Sequence, residues 1–218
     1  MYCIVLRCTF YLCLYDDRAI LQDSFPWRIV GLESNIRSFY FPNRTFCQCG
    51  FACAFCLFAV LIQAAAEELE SRVFFFGKLK EGGFGFLPAA ILSGMYFSYL
   101  HATNPSFGII PFISIALAGV VYLLIYVYTG SIWAACGLHQ LWNVSQDFIF
   151  GLPNSGNPSG MSILSSTANG SSFFYNADFG VEGSIWCIIV HLVAAVILLV
   201  LIKKKGIKQV FPVHDDII

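Results

Sequence analysis

Residues 82–146 contain no Asp, Glu, Lys or Arg. A water-soluble fold has no ready way to accommodate so long a charge-free stretch. A bilayer does, because lipid-facing positions exclude charge. The rest of the chain agrees: 58% of its residues are hydrophobic and 11% are charged, where soluble domains carry about 25% charged residues. A formal net charge of −1 offers nothing to a nucleic acid. The expected fold class is all-α, a polytopic transmembrane helical bundle of about five main spans.

Five apolar runs define those spans. Span A begins near Cys49 and continues, through the Phe74-Phe75-Phe76 that follows Arg72, to about Gly77. Such a helix is long enough to tilt or project from the bilayer. Span B is 84–101, with Pro88 suited to a first helical turn and Asn104-Pro105 ending it. Span C, 107–128, is the cleanest and stops at Thr129-Gly130. Span D, 131–150, is polar on one side, so that side must face protein or water. Span E is 184–202, closed by Lys203-Lys204-Lys205. Residues 151–183 are rich in Gly, Ser, Asn and Pro, the mark of a loop outside the hydrocarbon.

The chain then divides into an N-terminal segment, 1–46, with a short span at 1–15 as one reading, a membrane domain, 47–202, and a basic then mixed tail, 203–218. Lys203, Lys204, Lys205 and Lys208 put the C-terminus on the cytoplasmic side. Counting backwards, the turn at 78–83, with Lys78 and Lys80, falls on that side too, and the 151–183 loop, with Asp178 and Glu182, falls opposite. Of the nine cysteines, Cys47, Cys49, Cys53 and Cys56 open an apolar helix and read as small hydrophobes rather than ligands or a disulfide framework. Asn43 and Asn169 head glycosylation sequons that matter only in a secretory host.

Ionisable groups within spans are costly and point to a functional interior. Glu68 and Arg72 lie four apart on one helical face and can pair, as do His139 and Asn143. His101 follows Phe97 by one turn. At about 1.5 Å per residue, Glu67 lies about 16 Å from Lys78, His139 about 12 Å and Asn143 about 18 Å from Ser131, and His101 about 20 Å from Pro88. All three helices are measured from the same membrane face, so these groups can meet at one depth. The plainer readings are a structural ion pair for Glu68–Arg72 and helix–helix hydrogen bonds for the others. His191 has no polar partner along its helix and reads as structural.

Glu67-Glu68-Leu69-Glu70-Ser71-Arg72, Phe97-Ser98-Tyr99-Leu100-His101 and His139-Gln140-Leu141-Trp142-Asn143 match EExxxR, FxxxH and HxxxN in order. With them the chain resembles the CPBP family of intramembrane proteases, the CAAX prenyl endopeptidase type 2 and its lysostaphin-resistance-like and bacteriocin-immunity relatives. The resemblance covers about residues 50–202. It implies an all-helical membrane core with a glutamate-dependent proteolytic site. Glu67 would be the general base, His101 its partner in positioning and polarising water, and His139 and Asn143 the groups that stabilise the oxyanion. Glu68 and Arg72 would support them, and Phe97 would pack the site. The sequence departs from the family at Glu70, Ser71 and Val73, and has fewer spans before the first motif.

Amide hydrolysis needs an activated water and a stabilised oxyanion, and a Glu in a partly dry pocket can act as the base. The favoured site needs no cofactor. The lesser alternative is zinc held by Glu67, His101 and His139, since zinc accepts imidazole and carboxylate, though no H-E-x-x-H is present. The expected partners are a membrane-associated protein or peptide substrate and the lipid bilayer, not nucleic acid. The expected location is a bacterial plasma membrane, or the endoplasmic reticulum of a eukaryote. A non-enzymatic relative, an immunity or scaffold protein, remains the alternative. A small transporter would show a repeat of broken helices, and none is visible.

Overall fold

The computed structural model describes residues 32–36 and 46–206, apart from 160, 161, 163, 169 and 173. The span considered at 1–15, both sequons and Lys208 lie outside the described residues, as do the side chains of Cys47, Cys49, Cys53 and Cys56. The fold is helical, as expected, with one addition. A short antiparallel ribbon pairs β1, Leu32–Ile36, with β2, Leu164–Ala168, Ser34 standing opposite Ser166.

Helix α1, Phe46–Glu68, runs without a break into a π-helical turn, Leu69–Phe75, and then α2, Phe76–Glu81. Span A is thus one long rod that stops at Gly82. Next come α3, Phe86–Tyr99; α4, Ile109–Thr129; α5, Ile132–Asn143, followed by a second π-turn, Val144–Ile149; and α6, Ile185–Lys205. Their ends follow local chemistry. Pro88 and Pro111 occupy first turns, where a missing N–H costs nothing. Gly130 ends α4 with φ 72°, a left-handed cap that glycine adopts without strain. Ser184 caps α6 by accepting a hydrogen bond from the Cys187 N–H at 3.1 Å.

Two helices, α4 and α6, are long and apolar enough to cross a membrane, with mean hydropathies of 2.4 and 3.1. They carry Spans C and E. Span B forms the shorter apolar helix α3, while Spans A and D are each interrupted by a π-turn. Length and composition therefore identify two spans among the described residues, not five.

Helix α4 is central, packing against α3, α5 and α6, while α1 lies on α5. One apolar cluster joins Phe76, Ala90, Leu124, Val127, Leu198 and Ile202. Lys205 crosses this end of the bundle to donate to the Tyr128 carbonyl at 2.9 Å. A second cluster joins Phe97, Ile115, Tyr122, Ala135 and, from the 151–183 segment, Phe179. Gly94 lets α3 meet α4 closely, because a Cβ there would overlap the Ala116 carbonyl.

The 151–183 segment is not an open loop. Its Phe179 is fully buried. Gly156, at φ 79°, lies so near Pro105 that a Cβ would strike the Pro105 carbonyl. Asn176 donates to the Ser106 carbonyl at 3.1 Å. Burial also pushes the Tyr175 phenol above its ordinary pKa, as suits a packed segment. Glycine and serine here serve tight contact, which composition alone reads as looseness.

Candidate active site

Glu67 and Glu68 are the last residues of α1, and Arg72 lies in the π-turn directly after it. π-Turns mark places where a helix is bent to a function. Here the carbonyl of Ser71 is met by the buried Ser93 hydroxyl of α3, which donates to it at 2.8 Å. The turn is thereby held against its neighbour. Glu68 and Arg72 are both buried, with Glu68 Oε2 2.9 Å from Arg72 Nε. None of the Arg72 nitrogens makes an aligned hydrogen bond among the described residues, so this contact is an ion pair only. The guanidinium instead lies over two aromatic faces, 4.2 Å from the Phe97 centroid and 5.6 Å from that of Tyr122. Ring quadrupoles stabilise a desolvated cation by about 2 kcal/mol.

His139 of α5 completes the centre. Its Nδ1 lies 3.0 Å from Glu68 Oε1. A carboxylate only accepts, so Nδ1 carries the proton and donates. The other nitrogen, Nε2, faces Glu67 Oε2 at 3.7 Å, beyond hydrogen-bond length. The imidazole stacks on Tyr122, centroids 5.0 Å apart and planes 16° from parallel, and meets the Phe97 ring edge-on at 5.6 Å. Glu67 is anchored at one oxygen only: Gln63 donates to Oε1 at 3.1 Å, and Oε2 has no hydrogen bond among the described residues. The Glu67 side chain is 23% exposed, whereas that of Glu68 is fully buried. Of the two neighbouring carboxylates, Glu68 lies wholly inside, and Glu67 is partly exposed with its Oε2 buried.

His101 and Asn143 join this centre less directly. Span B was expected to reach His101, but α3 ends at Tyr99, and His101 lies in the turn beyond it. Its N–H bonds to the Ser98 carbonyl at 3.0 Å, a tightening that prepares the break at Asn104-Pro105. The His101 Nδ1 donates to the Phe97 carbonyl at 2.9 Å, and its ring packs on Phe97 at 5.0 Å. Phe97 thus touches Arg72, His101 and His139 together. No hydrogen bond or ion pair joins His101 to Glu67 or His139 among the described residues. Asn143 ends α5, 8% exposed, and its side chain makes no hydrogen bond among them.

Two participants escaped sequence reading. Tyr122 stacks on His139 and lies under the Arg72 guanidinium; a polar aromatic in the apolar Span C was its only signal. Glu182, in sequence simply an acid of the 151–183 segment, is buried. Two of the departures from the family pattern stay clear of the centre. Glu70 and Val73 are exposed, and Tyr96 donates to Glu70 on that outer face. Ser71 is buried beneath Ser93. Among the described residues no three His, Cys, Asp or Glu side chains are placed to hold one metal ion.

Fold and site together define a class, a helical bundle with a carboxylate–imidazole centre borne by motifs on three of its segments. The stretch that carries all of those motifs, residues 50–145, matches the family described as Type II CAAX prenyl endopeptidase Rce1-like. No curated protein and no solved structure matches the chain.

Proposed function

We propose that the chain is an intramembrane endopeptidase that hydrolyses a peptide bond with water activated by Glu67. The observation that carries this reading is the approach of Glu67 Oε2 to His139 Nε2 at 3.7 Å, with Oε2 buried and without a hydrogen bond among the described residues. A water beside the pair hydrogen-bonds to both atoms. Glu67 takes its proton, and the hydroxide attacks the scissile carbonyl carbon. The carbonyl oxygen becomes an oxyanion, to which the Asn143 amide donates. Collapse breaks the C–N bond, and the proton held by Glu67 passes to the departing amine. Glu68 holds His139 in one tautomer, and Arg72 balances the buried charge. His101, its Nδ1 donating to the Phe97 carbonyl, packs on the ring that also meets Arg72 and His139.

The substrate is a membrane-associated chain: a prenylated C-terminus in a eukaryote, or a membrane peptide in a bacterium. In this reading the bundle is polytopic, and its C-terminus is cytoplasmic. Lys203, Lys204 and Lys205 close α6, and the Lys205–Tyr128 contact fits a lysine-rich face at that end. Cleavage of a prenylated peptide and of a membrane peptide by wild type and by Glu67→Gln, each with and without chelator, tests the mechanism. Loss of turnover in Glu67→Gln with persistence in chelator is expected. Equal cleavage by both proteins would sink the assignment.

A further inference from the structure

Glu182 lies outside residues 50–145 and outside every motif, yet it is a buried carboxylate with three donors. The Trp142 indole N–H and the Gln146 amide donate to its Oε1 at 2.9 and 3.4 Å, and the Ser155 hydroxyl donates to Oε2. Trp142 and Gln146 are four apart and share a helical face, so one oxygen can hold both. Asn143 lies between them in sequence, about 100° round the helix, four residues after His139 and on its face. The Asn143 side chain has no hydrogen bond of its own among the described residues to orient it. Gripping the Trp142–Gln146 face therefore sets the direction in which Asn143 and His139 point.

The second oxygen leads to the other loose piece of the site. Ser155 has φ 48°, uncommon for a residue with a side chain. Its carbonyl accepts from Asn104 Nδ2 at 2.9 Å, and the Asn104 N–H bonds to the His101 carbonyl at 2.9 Å. A continuous chain of hydrogen bonds thus runs from Glu182 to the His101 turn. His101 and Asn143 sit on separate segments, and no hydrogen bond joins them directly among the described residues. A buried carboxylate is retained only where donors satisfy it. Here two donors, Trp142 and Gln146, lie beside Asn143 in sequence, and the third, Ser155, is tied through Asn104 to the His101 turn.

We infer that Glu182 is a positioning residue that holds the His101 turn and the Asn143 helix in register. Its catalytic consequence rests on the peptidase reading; its geometric consequence does not. The test pairs turnover with a distance measurement, using spin labels on noncanonical residues introduced at the exposed Ala102 and Leu141. Glu182→Leu removes the whole hub. Turnover, kcat, should fall at least about tenfold, since small misplacements carry large rate costs, with KM changed less than about threefold. The label-to-label distance distribution should broaden. Glu182→Gln should recover most of both, because the Ser155 hydroxyl can reverse and accept from the new amide. Should Glu182→Leu fail to fold, Ser155→Ala cuts only the His101 branch and should still broaden the distribution. An unchanged distribution in the folded variant, or kcat kept within about twofold, would overturn the inference. Broadening in a protein whose wild type cleaves nothing would uphold the positioning role and remove the peptidase reading instead.

Discussion

Glu68 and Glu182 are both buried carboxylates, but they are satisfied differently. Glu68 sits between the Arg72 guanidinium at 2.9 Å and the His139 imidazole at 3.0 Å. Glu182 is met by an indole, an amide and a hydroxyl. The first arrangement lies where the motif helices cross and uses a counter-charge. The second lies where the 151–183 segment folds onto the bundle, and neutral donors suffice. The contrast separates a centre built on charge from one that fastens segments together. It also predicts different responses to losing one partner: an unbalanced charge in one case, a lost hydrogen bond in the other.

The largest effect tests whether the charged centre is the chemical one. Glu67→Gln should lower turnover by about 10²–10⁴-fold, the usual contribution of a general base. Thermal unfolding in detergent should stay close to wild type, because the one hydrogen bond to Glu67 among the described residues comes from Gln63. A turnover rate that survived would move the base elsewhere. Arg72→Met comes next. It leaves Glu68 without its cation and should cost about 3–5 kcal/mol in unfolding measurements, the range for breaking a buried pair; a loss below about 1 kcal/mol would show the pair to be solvated. Gly94→Ala should cost about 1–3 kcal/mol by overpacking, reported as a lower unfolding midpoint. The smallest change belongs to the neutral centre. Trp142→Phe keeps the ring and removes one donor, worth about 1 kcal/mol, and a loss as large as that of Arg72→Met would erase the contrast.

Local spacing made the charged centre legible. Glu68–Arg72 and His139–Asn143 are one-turn relationships, and a helix turns such spacing into a shared face whatever surrounds it. Phe97 was expected to pack the site only through the family resemblance, not through spacing. Glu182 was not, because its partners Trp142 and Ser155 lie 40 and 27 residues away, and only the docking of a glycine- and serine-rich segment brings them together. His101 was expected at the end of a helix and lies just past it. The Asn104-Pro105 break acts several residues upstream, and a periodic pattern does not register that. Spans A and D read as plain helices in sequence, since apolar composition cannot reveal a π-turn.

Those π-turns have one more consequence. Each is a local widening that lets a helix carry an additional residue without rotating the turns beyond it. In a strict α-helix an inserted residue swings everything downstream by about 100°. The turn at Leu69–Phe75 absorbs that shift, so Glu67 before it and Phe76 after it can each answer to a different neighbour. Helical phase is then set separately on the two sides of the turn. Deleting one residue within it should leave both flanking faces where they are and disturb only Ser71 and Arg72, whereas the same deletion three turns earlier should rotate the glutamates out of the site.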